Sequence, residues 1–264
     1  MPEGDTIHRA AAQLRGALAG KRVVKVEVRR DPRGRRGVEP GATVTEVVAQ
    51  GKHLLIHFDD GHVLHTHMQL TGAWQVYAPG ERWRRPAHTA RVVLEVEGGT
   101  TAVCFAAPLV ELRTENARDV THAANAIAAL GPDLCLDAPD LDAVLARVAR
   151  LDPATELALV LLDQRVAAGI GNVYKSEVCW AEKVWPFTPI GALADATRRR
   201  MYATAHRQLR ANLGTKRRVT YQGGLAVYGK AGRLCPRCRT RIVRRGGRDD
   251  ERVTYWCPTC QPEP

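Results

Sequence analysis

Apolar positions change period twice along this chain. Between residues 3 and 19, Ile7, Ala11, Leu14 and Leu18 recur at helical spacing, and Gly20 follows as a stop at the C′ position. From Arg22 to Ala107 the period drops to two. Seven short runs, near residues 22–30, 42–50, 53–58, 62–70, 73–78, 90–97 and 101–106, alternate as strands do, with Asp60-Gly61 and Gly98-Gly99 as hairpin signals. Strands at this spacing predict a sandwich or barrel. The insert at 31–37 reads as an exposed basic loop.

After Pro108 the strand signal fades. Helices are expected over 119–130 and 140–150, separated by Gly131-Pro132-Asp133. A strongly apolar helix over 155–167 should end at Ala168-Gly169-Ile170-Gly171, with Asn172 as N-cap of the next helix. A long helix with a basic face follows at 192–213, then short strands around four cysteines. The layout is an α+β, two-domain protein. An N-terminal helix plus β-sandwich occupies 1–115 and a linker region 116–134. A helical domain covers 135–218, and a small hairpin closes the chain at 219–264.

Composition narrows the function classes. Apolar residues make up 45% and charged residues 25%, which excludes a disordered or fibrous chain. No run of eighteen apolar residues exists, and the opening Met-Pro-Glu-Gly-Asp has no apolar core of a signal peptide, so a cytoplasmic protein is expected. Lys plus Arg number 39 against 28 Asp plus Glu, a net charge of +11, and the last stretch from Arg199 is densely basic. A polyanion is the expected partner.

Cys235, Cys238, Cys257 and Cys260 form C-x2-C-x18-C-x2-C, a spacing that suits tetrahedral zinc in a ribbon hairpin. Two unrelated pairs or a redox site are the plainer alternatives. Arg239, Arg241, Arg244, Arg245, Arg248 and Arg252 lie between the knuckles, suited as a group to phosphate contact, although any one of them alone is more simply a solvated side chain. Cys104, Cys135 and Cys179 stand in apolar surroundings and read as buried small hydrophobes. Asn172, at the start of a helix, offers a ready anion site; a purely structural turn is the alternative. At the N-terminus, Pro2 permits removal of Met1 and leaves a secondary amine. With a reference pKa near 8, roughly a tenth of such amines are uncharged at neutral pH, and Glu3 stands beside it.

Together these pieces resemble the formamidopyrimidine-DNA glycosylase and endonuclease VIII family. The likeness runs in order through Met1-Pro2-Glu3-Gly4, Gly51-Lys52-His53-Leu54-Leu55, His67 to Gly72, Gly131-Pro132-Asp133, Leu162 to Glu177, Val227-Tyr228-Gly229 and Arg252 to Gln261. It implies a bifunctional glycosylase and abasic-site lyase with a helix–two-turn–helix domain, one structural zinc, and damaged double-stranded DNA as the partner of a monomer. It implies that Pro2 is the nucleophile and Glu3 the acid–base group. Lys52 would contact phosphate and donate a proton during elimination. Asn172 and Arg252 would grip phosphate, and Gln69, Leu70 and Thr71 would fill the gap left by an extruded base.

The chain departs from the family pattern in two places: Asp5 and Thr6 stand where a second Pro-Glu is common, and Ala129 stands where some members carry a DNA-contacting arginine. Gly4 and the Gln69-Leu70 pair are similar to the endonuclease VIII branch, which implies oxidised pyrimidines as substrates. The alternatives are the branch that prefers 8-oxoguanine, and a zinc-dependent DNA-binding protein that has lost catalysis.

Overall fold

The computed structural model describes residues 2–29, 38–114, 122–215, 217–246 and 252–264. The chain divides into two compact units, Met1–Ala128 and Ala129–Pro264. The expected basic loop at 31–37 lies outside the described residues.

In the first unit, α1 (Gly4–Leu18) buries Ile7, Ala11, Leu14 and Leu18, the stripe set by the helical spacing. Gly20 follows at φ +75, the left-handed C′ position that a side chain would strain. Two four-stranded antiparallel sheets follow. One runs β1-β6-β7-β5, built from Val23–Val28, Ala90–Val96, Thr101–Phe105 and Ala73–Tyr77. The other runs β2-β3-β4-β8, built from Val44–Gln50, His53–Phe58, His62–His67 and Leu109–Thr114. The core draws on both sheets and on α1, with Leu54, Ile56, Leu64, Val92 and Leu94 fully buried. This is the expected sandwich with one strand added. β8 pairs along all of β4, so strand structure continues past Pro108.

The second unit is helical. α2 (His122–Ala128) belongs to the first unit's end; α3 (Leu141–Val148), α4 (Leu157–Leu162), α5 (Asn172–Ala181) and α6 (Asp195–Ala211) lie in the second. Two expectations need correction. The apolar helix is only six residues long, because Asp163 takes extended backbone. Val166, Ala167, Ala168 and Ile170 remain buried beyond it, so the apolar run belongs to a buried turn as much as to a helix. The N-cap of α5 is Gly171, and Asn172 is the first helical residue. The chain ends in a hairpin of β9 (Val243–Arg245) and β10 (Thr254–Trp256). Among the described residues no helix is long and apolar enough to cross a membrane.

Candidate nucleic-acid interface and metal centre

In the first unit, Pro2 is half-buried just before Glu3, the N-cap of α1. Glu3 is fully buried, and its carbonyl accepts from the amides of Thr6 (2.9 Å) and Ile7 (3.1 Å), which starts the helix. Asp5, the first departure from the family pattern, is also fully buried. Lys52 sits in the two-residue turn between β2 and β3, where Gln50 pairs with His53 and Gly51 takes φ +57. Beside it lies a cluster that sequence reading missed. The His53 and His65 rings stack at 5.1 Å with Nδ1 and Nε2 2.9 Å apart, and His67 meets His53 edge-on at 4.8 Å. Burial holds His53 down at about 4 and His65 at about 3, so both are neutral. The alternation of His65 with His67 was visible in the sequence; their meeting with His53 depends on the β3–β4 register.

Gln69, Leu70 and Thr71 form an exposed turn after β4, with Gln69 at φ +46 and Leu70 68% exposed. Gly72 closes it, donating its N–H to the Met68 carbonyl at 2.8 Å. A Cβ on Gly72 would stand 2.6 Å from that same oxygen, so the turn requires glycine.

In the second unit, the turn between α4 and α5 is built around Gln164. Its amide nitrogen donates to the carbonyls of Leu162 (2.8 Å) and Ile170 (2.9 Å), and its oxygen accepts from Gly169 N–H at 3.1 Å. Gly131-Pro132-Asp133 packs along this turn: Gly131 N–H donates to Gln164 O at 2.9 Å and Ala168 N–H to Pro132 O at 2.9 Å. A Cβ on Gly131 would fall 2.2 Å from Val166 O, which explains the glycine.

One face of α5 then carries the terminal hairpin. Asn172 Nδ2 donates to Val253 O at 2.9 Å, and Lys175 Nζ donates to Thr254 Oγ1 at 2.7 Å and to the carbonyls of Arg252 and Val253 at 3.4 Å each. Asn172 thereby holds the backbone next to Arg252, and exposed Arg252 lines a cavity of about 620 Å³. Lys175, only 1% exposed, had no assigned role in the sequence, although it lies one helical turn after Asn172.

Glu177 anchors the approach to the hairpin. Its buried carboxylate accepts the amides of Ala226 (2.7 Å), Val227 (2.8 Å) and Tyr228 (2.8 Å), and the Thr220 hydroxyl. The four cysteine sulfurs lie within 4.8 Å of one another. Cys235 and Cys260 are 3.9 Å apart, Cys238 and Cys257 3.4 Å. Four thiolates about 2.3 Å from one tetrahedral ion would stand about 3.8 Å from each other, so the donor set fits a metal ion. Trp180 Nε1–H points at Cys235 Sγ from 3.4 Å, a donor that supports thiolate charge. Gln261 fixes the second knuckle, accepting from Cys257 N–H at 3.0 Å and donating to Val184 O at 2.9 Å. The Cys104 and Cys179 thiols are pushed up to about 12 by burial, as expected of inert core cysteines.

A β-sandwich followed by a helix–two-turn–helix and a four-cysteine hairpin is the architecture of one class of DNA repair enzymes. Residues 1–108 match the formamidopyrimidine-DNA glycosylase N-terminal domain, and residues 130–222 match the helix–two-turn–helix domain of the same glycosylase. The chain belongs to this family of DNA glycosylases and abasic-site lyases of base excision repair. It is 44% identical to the probable endonuclease 8 2 of Streptomyces coelicolor, covering all of this chain and 95% of that one. It is 41% identical to the DNA-(apurinic or apyrimidinic site) lyase Nei2 of Mycolicibacterium smegmatis, covering 99% of each. The crystal structure of the MutM (Fpg) protein from Thermus thermophilus superposes with a TM-score of 0.79 at 28% identity over the full length of both chains.

Proposed function

We propose that this chain excises oxidised pyrimidines from duplex DNA and then nicks the strand through a Schiff base on Pro2. The observation that carries the reading is local: Pro2 stands next to the fully buried Glu3, the N-cap of α1. With Met1 removed, the uncharged secondary amine attacks C1′ of an extruded nucleotide. The glycosidic bond breaks and the base leaves with a proton. Opening of the sugar, with a proton delivered to O4′, gives an iminium at C1′, and Glu3 is the group placed to exchange these protons. The iminium acidifies C2′; loss of that proton expels the 3′ phosphate, a second elimination expels the 5′ phosphate, and water releases Pro2. Lys52, Asn172 and Arg252 serve the departing phosphates as cationic or polar partners. Gln69, Leu70 and Thr71 occupy the space the nucleotide vacates, which offsets the unstacking of a few kcal/mol.

Cys235, Cys238, Cys257 and Cys260 would hold zinc in a structural role only. Four protein ligands would leave no position for water, and the ion would serve to hold the hairpin that carries Arg252. The endonuclease 8 names of the relatives support the pyrimidine branch over the 8-oxoguanine branch. Borohydride reduction of the protein on duplex DNA with one abasic site tests the reading. A covalent adduct is expected; its absence under conditions of tight binding would favour a DNA-binding protein without catalysis.

A further inference from the structure

The turn that carries Leu70 is held by a guanidinium from the segment that follows β5. Arg85 Nη1 donates to the Thr71 carbonyl at 3.2 Å. On its other side the Thr71 hydroxyl donates to the Ala106 carbonyl at 3.0 Å. Ala106 is itself constrained: its φ is +50, rare for a residue with a Cβ, and its N–H donates to Thr89 O at 2.7 Å. Gln69, at φ +46, is a second such residue, and its N–H points to His67 Nδ1 at 3.3 Å.

The segment that delivers Arg85 is fixed as well. Trp83 packs edge-to-face on Phe105 at 5.8 Å, next to Ala106. The Arg84 amide donates to the Tyr77 hydroxyl at 3.1 Å, while its guanidinium lies over the Tyr77 ring at 5.1 Å and donates to Val76 O at 3.2 Å. The backbone on either side of Leu70 is therefore pinned from three directions, while its apolar side chain remains 68% exposed. A large apolar side chain on an immobilised backbone is what insertion into a base stack requires, because the ordering entropy is spent before DNA arrives.

We propose that Arg85 is a positioning residue for base extrusion: it holds Thr71, and through it the Leu70 turn, in the conformation that enters the helix. This rests on the reading of Gln69, Leu70 and Thr71 as the gap-filling loop. Arg85 acts on extrusion and leaves bond breaking alone, so its effect depends on whether the lesion must be pulled from a stack.

The experiment is single-turnover excision of 5-hydroxyuracil, either paired in duplex DNA or placed in a three-nucleotide bubble with duplex arms. A 2-aminopurine beside the lesion reports extrusion directly. Arg85→Ala should slow excision and the fluorescence rise about five- to tenfold on paired DNA, with little change on the bubble. Arg85→Lys, which keeps one donor, should recover part of the loss. Leu70→Ala is the reference and should show the same selectivity. If Leu70→Ala spares paired DNA, the gap-filling reading fails. If Leu70→Ala is selective but Arg85→Ala is not, or if Arg85→Ala slows both substrates equally, the tether is overturned.

Discussion

Nδ1 of His53 and Nε2 of His65 stand 2.9 Å apart, in the residue next to Lys52 and on the neighbouring strand. A contact of that length holds one proton between the two nitrogens, so the facing atoms cannot both be protonated. Burial is the main cause that lowers His53 to about 4 and His65 to about 3, with repulsion from His67, Lys52 and Arg113 added. The unfolded chain takes up both protons near pH 6.5, whereas the folded chain does so only near 4 and 3. Between those limits the unfolded state binds more protons, so stability is full above about pH 6.5 and falls as pH drops toward the folded values. At pH 5 each ring removes on the order of 1–2 kcal/mol. Thermal unfolding across pH 7 to 4.5 should show this decline, and His65→Gln, neutral throughout, should flatten it. An unchanged slope in His65→Gln would remove the pair from the account.

A second expectation concerns Glu177. Its carboxylate takes three buried amides and a hydroxyl from 220–228, the segment leading into the cysteines. Glu177→Ala leaves those amides without a partner, at a cost of about 1–3 kcal/mol each where water cannot reach them. Glu177→Gln keeps an acceptor oxygen and should lose less. Melting temperatures of the two variants give the order, and equal losses would mean that charge, more than hydrogen bonding, sets the anchor.

Metal removal separates two supports of the same hairpin. Asn172, Lys175 and Gln261 hold it through hydrogen bonds that need no ion, while the four sulfurs mutually repel once deprotonated. One zinc per chain is expected by elemental assay. Chelation, or Cys257→Ser, should abolish DNA binding while the far-ultraviolet signature of the sandwich persists. Full DNA affinity in metal-free protein would show that the hydrogen bonds suffice.

Most of the architecture was legible because its signals are local. The α1 stripe needs only helical spacing, and Gly61, Gly98 and Gly99 mark their turns by the positive φ they adopt. β8 escaped because Glu111, Arg113 and Thr114 dilute a six-residue edge strand that buries only Val110 and Leu112 well. The end of α4 escaped because the turn after it is as buried as the helix, so apolar content carries no boundary. The contacts around the predicted positions were illegible for a different reason. Lys175 with Thr254, and His53 with His65, are separated by 79 and 12 residues and meet only through tertiary pairing.

The N-terminus supports the sharpest test, because two amines compete for one role. If Pro2 is the nucleophile, its nitrogen must be free, so retention of Met1 or Pro2→Gly should cripple base excision and borohydride trapping while DNA affinity stays nearly intact. Glu3 is fully buried beside it, and under the proposed assignment its proton exchange matters most while the glycosidic bond breaks. Glu3→Gln should therefore block release of damaged bases far more than cleavage at sites that have already lost the base. Lys52 is the rival amine; under the proposed assignment it contacts phosphate and donates a proton, so Lys52→Ala should weaken binding and strand cleavage together while the adduct still forms. Peptide mapping of the reduced adduct decides between them. A cross-link on the peptide bearing Lys52, with Pro2 unmodified, would reverse the assignment of nucleophile and leave Glu3 without its proposed neighbour.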